Sequence, residues 1–330
     1  MGARIVQSLS DTPPSRHVVT VGNFDGVHRG HQHLLRTLTG RAEQAGAASL
    51  VVTFDPLPVE VLRPERAPRR LTTTTERVSL IAACGVDTIV VQRFDLEFAA
   101  WSAREFVERV ATAGHIVEWV VGADFAFGHD RTGSPALLRE LGSKYGFAVT
   151  VVERVGGQGI SSTVTRELVT VGDVAGAAVL LERPYTLRGR VVDGAHRGRT
   201  FGFPTANLAI PGNLVVPADG IYAGYASVDC GGDLHPALIY VGSRPTFDGT
   251  SRVIEVNLLD FSGDLYDRDL GVLFVEQVRA DRRFESAEAM VRQMADDEIK
   301  ARRILGLTSA DELWRQAEPA VRTPEGVNEA

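Results

Sequence analysis

Near residue 183 the chain changes from apolar runs that alternate with helical segments to short apolar runs that follow one another. This change limits the folds that the chain can adopt. Up to that point, apolar runs of strand length alternate with segments of helical spacing. Buried strands separated by helices are typical of a parallel, doubly wound sheet in an α/β domain. Because helices cover both faces of such a sheet, its strands are rich in valine and isoleucine. The expected strands lie at residues 17–22, 48–54, 86–94, 115–122 and 147–153.

Beyond residue 183, short apolar runs follow one another with Gly, Pro, Asn and Asp turns and no helix between them. This pattern is typical of a barrel or a sandwich, and one of its expected strands is NLVVP at 213–217. Residues 286–304 return to helical spacing, and the tail from Glu318 is expected to be frayed. We therefore expect two domains, at residues 1–183 and 184–330, the second mostly β with a C-terminal helix.

Composition narrows the class of protein. A length of 330 residues suits roughly two domains, and a net charge of −7 argues against a general nucleic-acid surface. Cys84 and Cys230 are far apart and lack metal-site spacing, which indicates a reducing cytoplasm without disulfides. No apolar run reaches the ~20 residues that cross a membrane, and the N-terminus lacks a secretory core. We expect a cytoplasmic protein with neither a nucleic-acid nor a membrane partner.

The segment GNFDGVHRGHQHLL, residues 22–35, joins the first expected strand to a helix whose apolar spacing extends to Gly46. A helix N-terminus offers free N–H groups and a positive dipole end, and both attract phosphate. His28 and His31, one turn apart, add donors aimed at the same anion, as phosphoryl and nucleotidyl transfer require. A lone H-x-x-H is more often a structural turn with one capping histidine. The strand, glycine turn and helix around this one favour a phosphate site.

Three later motifs lie at or beyond the ends of expected strands, where ligands bind in open α/β sheets. They are TFDPLP (53–58), VGADFAFG (121–128) and GISSTVTRE (159–167). In the last of them, Ser161, Ser162 and Thr163 can cap a helix and donate to phosphate, and Arg166 can pair with phosphate bidentately. The alternative for the three hydroxyl residues is a plain helix cap.

The C-terminal half carries its own motif, GAHRGRTFGFPTANL at 194–208. Gly198 and Gly202 would let phosphates approach the backbone closely. Thr205 and Asn207 alternate on one strand face, and their oxygens suit a Mg²⁺ ion that keeps most of its waters. The alternative is a proline-containing strand edge with a turn-capping asparagine, which explains each residue but not their combination.

Glu255 lies between Ile254 and Val256 in an otherwise apolar strand. A carboxylate can act as general base on a hydroxyl, which is a poor nucleophile by itself. The period-two alternation of the strand leaves open whether Glu255 faces inward or is an ordinary outward polar residue.

In their order along the chain, these motifs resemble those of the bacterial bifunctional riboflavin kinase/FAD synthetase family. The H-x-G-H core is shared with the wider nucleotidyltransferase superfamily, and GFPTAN resembles the kinase segment. QVRADRRF (277–284) resembles a loop that helps to close the flavin site. The resemblance extends over nearly the whole chain.

The resemblance implies a nucleotidyltransferase-type α/β domain followed by a six-stranded β-barrel kinase domain. The barrel would phosphorylate riboflavin with ATP to FMN, and the first domain would adenylylate FMN with a second ATP to FAD and pyrophosphate. The implied partners are ATP, riboflavin, FMN and Mg²⁺, and an oligomer is compatible with the sequence. The implied catalytic residues are His28, His31, Arg166 and Glu255. The implied ATP and phosphate contacts are Gly22, Phe24, Asp25, Gly30, Asp124, Ser161, Ser162, Thr163, Gly198 and Gly202. Arg279 and Phe284 would bind the flavin, and Thr205 and Asn207 would bind Mg²⁺.

Two residues depart from the family pattern, and two other functions are weighed against the first. Leu57 replaces a usual histidine and cannot donate to phosphate, whereas Thr165 replaces a usual isoleucine and is interpreted as a packing change. A different adenylyl- or cytidylyltransferase would leave GFPTAN and Glu255 unexplained. A flavin-binding module without catalysis is supported best by Leu57, and it would release no pyrophosphate from ATP and FMN.

Overall fold

The computed structural model describes residues 2–154, 159–193, 205–229, 233–246, 249–306 and 310–321. These residues form two compact units. The N-terminal unit comprises residues 2–68 and 77–161, and the C-terminal unit comprises residues 69–76 and the described residues from 162 onward. The boundary between functional domains at 183/184 stays a prediction.

The N-terminal unit is built on one six-stranded sheet whose strand order is β1-β4-β3-β2-β5-β6 and whose pairs are all parallel. Its strands are β1 (Arg4–Val6), β2 (His17–Val21), β3 (Ala48–Asp55), β4 (Thr88–Arg93), β5 (Ile116–Gly122) and β6 (Ala148–Val152). All five expected strands are present, and the expected α/β fold is confirmed. The added edge strand β1 has only three residues, which is too short for a period to show.

Helices connect these strands, as expected for parallel pairs. They are α1 (Arg29–Ala45), α2 (Pro58–Leu62), α3 (Thr74–Ala83), α4 (Leu96–Ala99), α5 (Ala103–Gly114) and α6 (Pro135–Tyr145). The caps follow from the sequence: the Ser102 hydroxyl accepts from the Glu105 N–H at 3.2 Å, and Gly146 ends α6 in the left-handed region. Trp119 and Phe106 lie at the centre of a buried aromatic and aliphatic core.

The C-terminal unit contains a closed barrel with strand order β10-β11-β8-β7-β12-β9, and its pairs are antiparallel. Two helices precede it, α7 (Ser162–Val171) and α8 (Val174–Leu181). The strands are β7 (Tyr185–Val192), β8 (Ala206–Ala209), β9 (Gly220–Val228), β10 (Leu234–Thr246), β11 (Gly249–Leu258) and β12 (Asp269–Ala280). The expected six-stranded barrel is therefore confirmed.

The strand expected at residues 213–217 is wrong, because β8 takes its place in the barrel. The apolar segment pairs instead with residues 69–76: the Arg70 N–H donates to the Asn213 carbonyl at 2.7 Å, and the Val215 N–H donates to the Arg70 carbonyl at 2.9 Å. Leu214 and Leu71 are buried in the barrel core, which explains why this segment is apolar without being a barrel strand.

Two helices, α9 (Ala287–Gly306) and α10 (Ala310–Val321), cover part of the outer face of the barrel. Leu305 of α9 packs there with Tyr225, Leu238 and Leu273 from three strands. The helix expected at 286–304 is present, but the chain beyond Glu318, expected to be frayed, continues as helix to Val321.

Candidate active sites

The two histidines of the H-x-G-H motif are stacked on each other at the start of α1. His28 is the N-cap residue, and its Nδ1 accepts a hydrogen bond from the His31 backbone N–H at 3.3 Å. The imidazole ring centroids lie 3.7 Å apart with planes 16° from parallel. Because Nδ1 of His28 accepts, the neutral ring carries its proton on Nε2. That Nε2–H is the donor His28 can offer to a ligand.

His31 is held between His28 and the ring of Phe24. The Phe24 and His31 centroids are 5.2 Å apart in an edge-on arrangement, and Phe24 is buried. Nδ1 of His31 is enclosed and makes no hydrogen bond with any residue that the structure describes. Burial, together with the neighbouring His28, lowers the pKa of His31 well below 6.5. Both effects penalise a second positive charge, and an anion would relieve that penalty.

The backbone before α1 is strained in a way that places these rings. Phe24 and Val27 have positive φ values of 51° and 41°, which are uncommon for such residues. Within α1, a Cβ at Gly30 would lie 3.2 Å from Cε1 and Nδ1 of His28. Glycine at position 30 therefore lets the His28 ring lie against the helix.

Other predicted phosphate residues lie in the same turn. Asp25 is buried with 2 % of its surface exposed. A Cβ at Gly22 would lie 3.1 Å from the Phe24 ring, so this glycine leaves room for that ring. Phe24 and Gly30 thus lie against the stacked histidines, Gly22 lies against Phe24, and Asp25 is buried in the same turn.

Asp124 follows β5 directly and forms an ion pair that the sequence did not reveal. Nη2 of Arg154, just beyond β6, donates to its Oδ2 at 2.5 Å. This bond, followed by smaller contributions that include the charge of Arg131, lowers the pKa of Asp124. The sequence does not show that β5 and β6 are neighbours in the sheet, so it does not show this ion pair either.

Leu57 is enclosed in the N-terminal unit, with 4 % of its surface exposed. Its backbone N–H donates to the Glu60 carboxylate at 2.8 Å at the start of α2. Leucine here is a packed apolar residue at the position where a histidine was expected.

The GISSTVTRE segment crosses the boundary between the units, which falls between Ser161 and Ser162. Thr163 is exposed and Arg166 is partly buried on α7 in the C-terminal unit. Thr165 is fully buried on the same helix, in agreement with its interpretation as a packing position.

In the barrel, Glu255 and the predicted metal ligands are brought together. Glu255 on β11 lies directly opposite Asn207 on β8, and the Thr205 hydroxyl donates to Glu255 Oε2 at 3.4 Å. Ile254 and Val256 are both buried in the barrel core. Since side chains alternate along a strand, Glu255 faces outward, which answers the question the sequence left open.

A cavity of about 550 Å³ adjoins this cluster, with Thr205 in its wall. The volume lies in the range of small-molecule sites. The loop that follows Phe261 supplies most of the opposite wall, including Asp264 and Tyr266.

Arg279 and Phe284 are also in contact, with the guanidinium carbon 5.6 Å from the ring centroid. Asp297 on α9, which is buried, pairs with Arg279 at 2.8 Å and fixes the guanidinium. Asp297 could not be predicted as a partner of Arg279, because it lies on a helix 18 residues further along the chain. Gly198 and Gly202, the remaining predicted residues, lie outside the described residues.

Two family models match the chain: FAD synthetase over residues 10–164 and riboflavin kinase over residues 181–305. The bifunctional riboflavin kinase/FMN adenylyltransferase of Escherichia coli K12 is 39% identical over 92% of this chain and 98% of its own length. The chain belongs to this family. The Bacillus subtilis member is 33% identical over 87% of this chain and 92% of its own length. The expected bifunctional enzyme, with riboflavin kinase and FMN adenylyltransferase activities, is thereby confirmed.

The fold of the family members is shared by a solved structure. A crystal structure described as a macrolide-efflux protein from Streptococcus pneumoniae superimposes with a TM-score of 0.83 and 32% identity, over 92% of this chain and 99% of the other. Among the described residues of this chain, no helix is long and apolar enough to span a membrane.

Proposed function

We propose that the two activities of the family are carried by two separate clusters of this chain. Adenylylation of FMN is assigned to the His28–His31 turn, and phosphorylation of riboflavin is assigned to the cluster of Thr205, Asn207 and Glu255. The observation that carries the first assignment is the stacked histidine pair with its fixed proton position at a helix N-terminus. The observation that carries the second is the register of Glu255 against Asn207.

In adenylyl transfer, the FMN phosphate attacks the α-phosphorus of ATP and pyrophosphate leaves. His28 donates its Nε2–H to a phosphate oxygen of ATP, and His31 offers its imidazole to the same anion from one turn further along α1. The α1 N-terminus adds its dipole. These preorganised donors stabilise the charge that develops during transfer. Gly22, Phe24, Asp25, Gly30 and Asp124 are assigned to this phosphate site. Ser161, Ser162, Thr163 and Arg166 stay phosphate contacts predicted from their motif.

In riboflavin phosphorylation, Glu255 accepts the proton of the ribityl 5′-hydroxyl as that oxygen attacks the γ-phosphorus of ATP. The bond from the γ-phosphorus to the bridging oxygen breaks, and ADP leaves. The Thr205 hydroxyl and the Asn207 amide oxygen hold Mg²⁺, which neutralises phosphate charge when bound. The contact of the Thr205 hydroxyl with Glu255, and the position of Asn207 directly opposite Glu255, support this proposal, because Mg²⁺ prefers oxygen ligands. Gly198 and Gly202 stay predicted phosphate contacts, and Arg279 with Phe284 holds the flavin.

The test separates the two products of a reaction with riboflavin, ATP and Mg²⁺ by chromatography. His28→Ala and His31→Ala should each slow FAD formation by about 10²–10³-fold while FMN still accumulates. The matched control is His33→Ala, which truncates an exposed histidine on the same helix. Equal loss of FMN and FAD in a folded His28→Ala protein would reject the assignment to two clusters.

Cellular location and assembly stay predictions. We propose a cytoplasmic location, which the sparse cysteine content supports. Light scattering of the purified chain measures whether it forms an oligomer.

A further inference from the structure

The outer face of the barrel carries a continuous row of side chains that connects the proposed flavin residues to the proposed base. Arg279 on β12 lies opposite Ile221 on β9, and Ile221 lies opposite Tyr240 on β10. Tyr240 lies opposite Glu255 on β11, which itself lies opposite Asn207 on β8. Directly opposed residues of antiparallel strands share a face.

Five neighbouring strands therefore each contribute one side chain to a single row on the outer face of the barrel. A cation and its aromatic neighbour stand at one end, a carboxylate and an amide stand at the other, and Ile221 and Tyr240 lie between them. The inner face of the same strands is the buried core, in which Ile239, Val241 and Tyr222 pack.

The Tyr240 side chain is on the outer face of the barrel, and its ring lies against the barrel surface. It is partly buried, and its ring extends along β10 over Gly242. A Cβ at Gly242 would overlap the Tyr240 ring and hydroxyl. The Tyr240 ring therefore occupies the space that the missing side chain of Gly242 leaves, whereas Ile221, its neighbour in the row, packs against the apolar cluster under α9.

Riboflavin has a flat aromatic end and a polar chain that ends in the hydroxyl to be phosphorylated. When that hydroxyl is at Glu255 and the flat end is at Arg279 and Phe284, the substrate crosses the row at Ile221 and Tyr240. We infer that Tyr240 is a riboflavin-positioning residue whose ring contacts the flavin between these two ends. This rests on the proposed roles of Glu255 and Arg279.

Aromatic contact suits this segment of the substrate, because it combines apolar burial with a preferred ring geometry. The contact is made before any phosphate is transferred. It acts on riboflavin affinity and on KM, and it leaves the proton transfer at Glu255 in place.

The test is titration of riboflavin, without ATP, by quenching of its fluorescence, followed by steady-state kinetics of FMN formation. Tyr240→Ala should weaken riboflavin binding and raise its KM by roughly tenfold. Tyr240→Phe, which keeps the ring, should restore most of that loss. Gly242→Ala, which displaces the ring without removing it, should weaken binding in the same direction. Tyr145→Ala, the same truncation in the N-terminal unit, serves as control and should leave riboflavin binding unchanged.

The outcomes distinguish a failure of the Tyr240 contact from a failure of the proposed riboflavin kinase site. Circular dichroism and thermal unfolding of each variant report whether its barrel is folded. Wild-type riboflavin affinity in Tyr240→Ala, or equal losses in Tyr240→Phe and Tyr240→Ala, overturns the ring contact. Glu255→Gln examines the proposed base independently, because it should stop phosphorylation while riboflavin still binds.

Discussion

At the scale of single residues, the proposed adenylylation site is a pair of stacked imidazoles at a helix N-terminus. His28 is fixed by the hydrogen bond that its Nδ1 accepts, and His31 is fixed by the rings on either side of it. Without a ligand, a second positive charge at this place is disfavoured by burial and by repulsion. The negative charge of a triphosphate offsets the cost of a positive charge here, so binding of ATP favours protonation of the pair.

The lowered pKa of His31 makes the stability of the enzyme depend on pH. The unfolded chain takes up a proton at His31 near its ordinary pKa of about 6.5, whereas the folded protein resists protonation until lower pH. Stability contributed by the neutral ring is therefore complete above about pH 6.5 and is lost as the pH falls towards the folded pKa. Calorimetry should show a smaller fall in Tm from about pH 7 to 5 for His31→Asn than for wild type. His33→Asn should keep the wild-type slope, and a wild-type slope in His31→Asn contradicts the argument.

Glu255 and Thr205 should fail in different ways when they are replaced. Glu255→Gln keeps the size and a hydrogen-bonding oxygen but removes the base, so FMN formation should fall by about 10²–10⁴-fold. Thr205→Ala removes a proposed metal ligand, so raising Mg²⁺ and ATP should recover part of its lost rate. Initial rates over a grid of Mg²⁺ and ATP concentrations separate the two. Recovery of Glu255→Gln by added ATP would show that Glu255 binds the nucleotide and is no base.

At the scale of one element, α1 contains a built-in comparison between two glycines. A Cβ at Gly30 would press on the His28 ring at 3.2 Å, whereas a Cβ at Gly40 meets nothing within 4 Å. Gly40→Ala should stabilise the helix by up to about 1 kcal/mol and leave adenylylation intact, because alanine favours helix. Gly30→Ala displaces His28, so FAD formation should fall while FMN formation persists. Urea unfolding and product analysis of both variants check this, and equal activities would remove the special role of Gly30.

The elements that the sequence predicted correctly are those whose burial shows in their own residues. Strands β2 to β6 are continuous apolar runs because helices cover both faces of the sheet. Residues 213–217 have the same apolar character for another reason, since they pack on the barrel core and bond to Arg70. Apolar composition reports burial, but it does not report which backbone receives the hydrogen bonds. Only the structure shows that residues 213–217 bond to the Arg70 backbone and not to a barrel strand.

At the scale of the molecule, the candidate sites divide in the same way. The H-x-G-H turn was predictable because its residues are neighbours in sequence as well as in space. Glu255 was predictable as a candidate, but its outward face depended on the barrel register. The partners Arg154 and Asp297 come from distant segments and satisfy charges locally, so no short motif announces them. The pairing of distant segments thus determined the orientation of Glu255 and these ion pairs, which the local sequence pattern did not show.

The separation of the two clusters into different units leads to a prediction about mixtures of damaged enzymes. His28 belongs to the N-terminal unit and Glu255 to the C-terminal unit. His28→Ala should therefore convert riboflavin only to FMN, and Glu255→Gln should make FAD only when FMN is supplied. Mixed with riboflavin, ATP and Mg²⁺, the two variants together should form FAD after a lag in which free FMN rises, because FMN leaves one protein and binds the other.

Chromatography of timed samples measures the lag, and the doubly substituted chain at equal concentration is the control. If the mixture makes FMN but no FAD, although Glu255→Gln adenylylates supplied FMN at high concentration, the FMN must pass within one chain. If neither variant retains its own half-reaction, the two activities share one site.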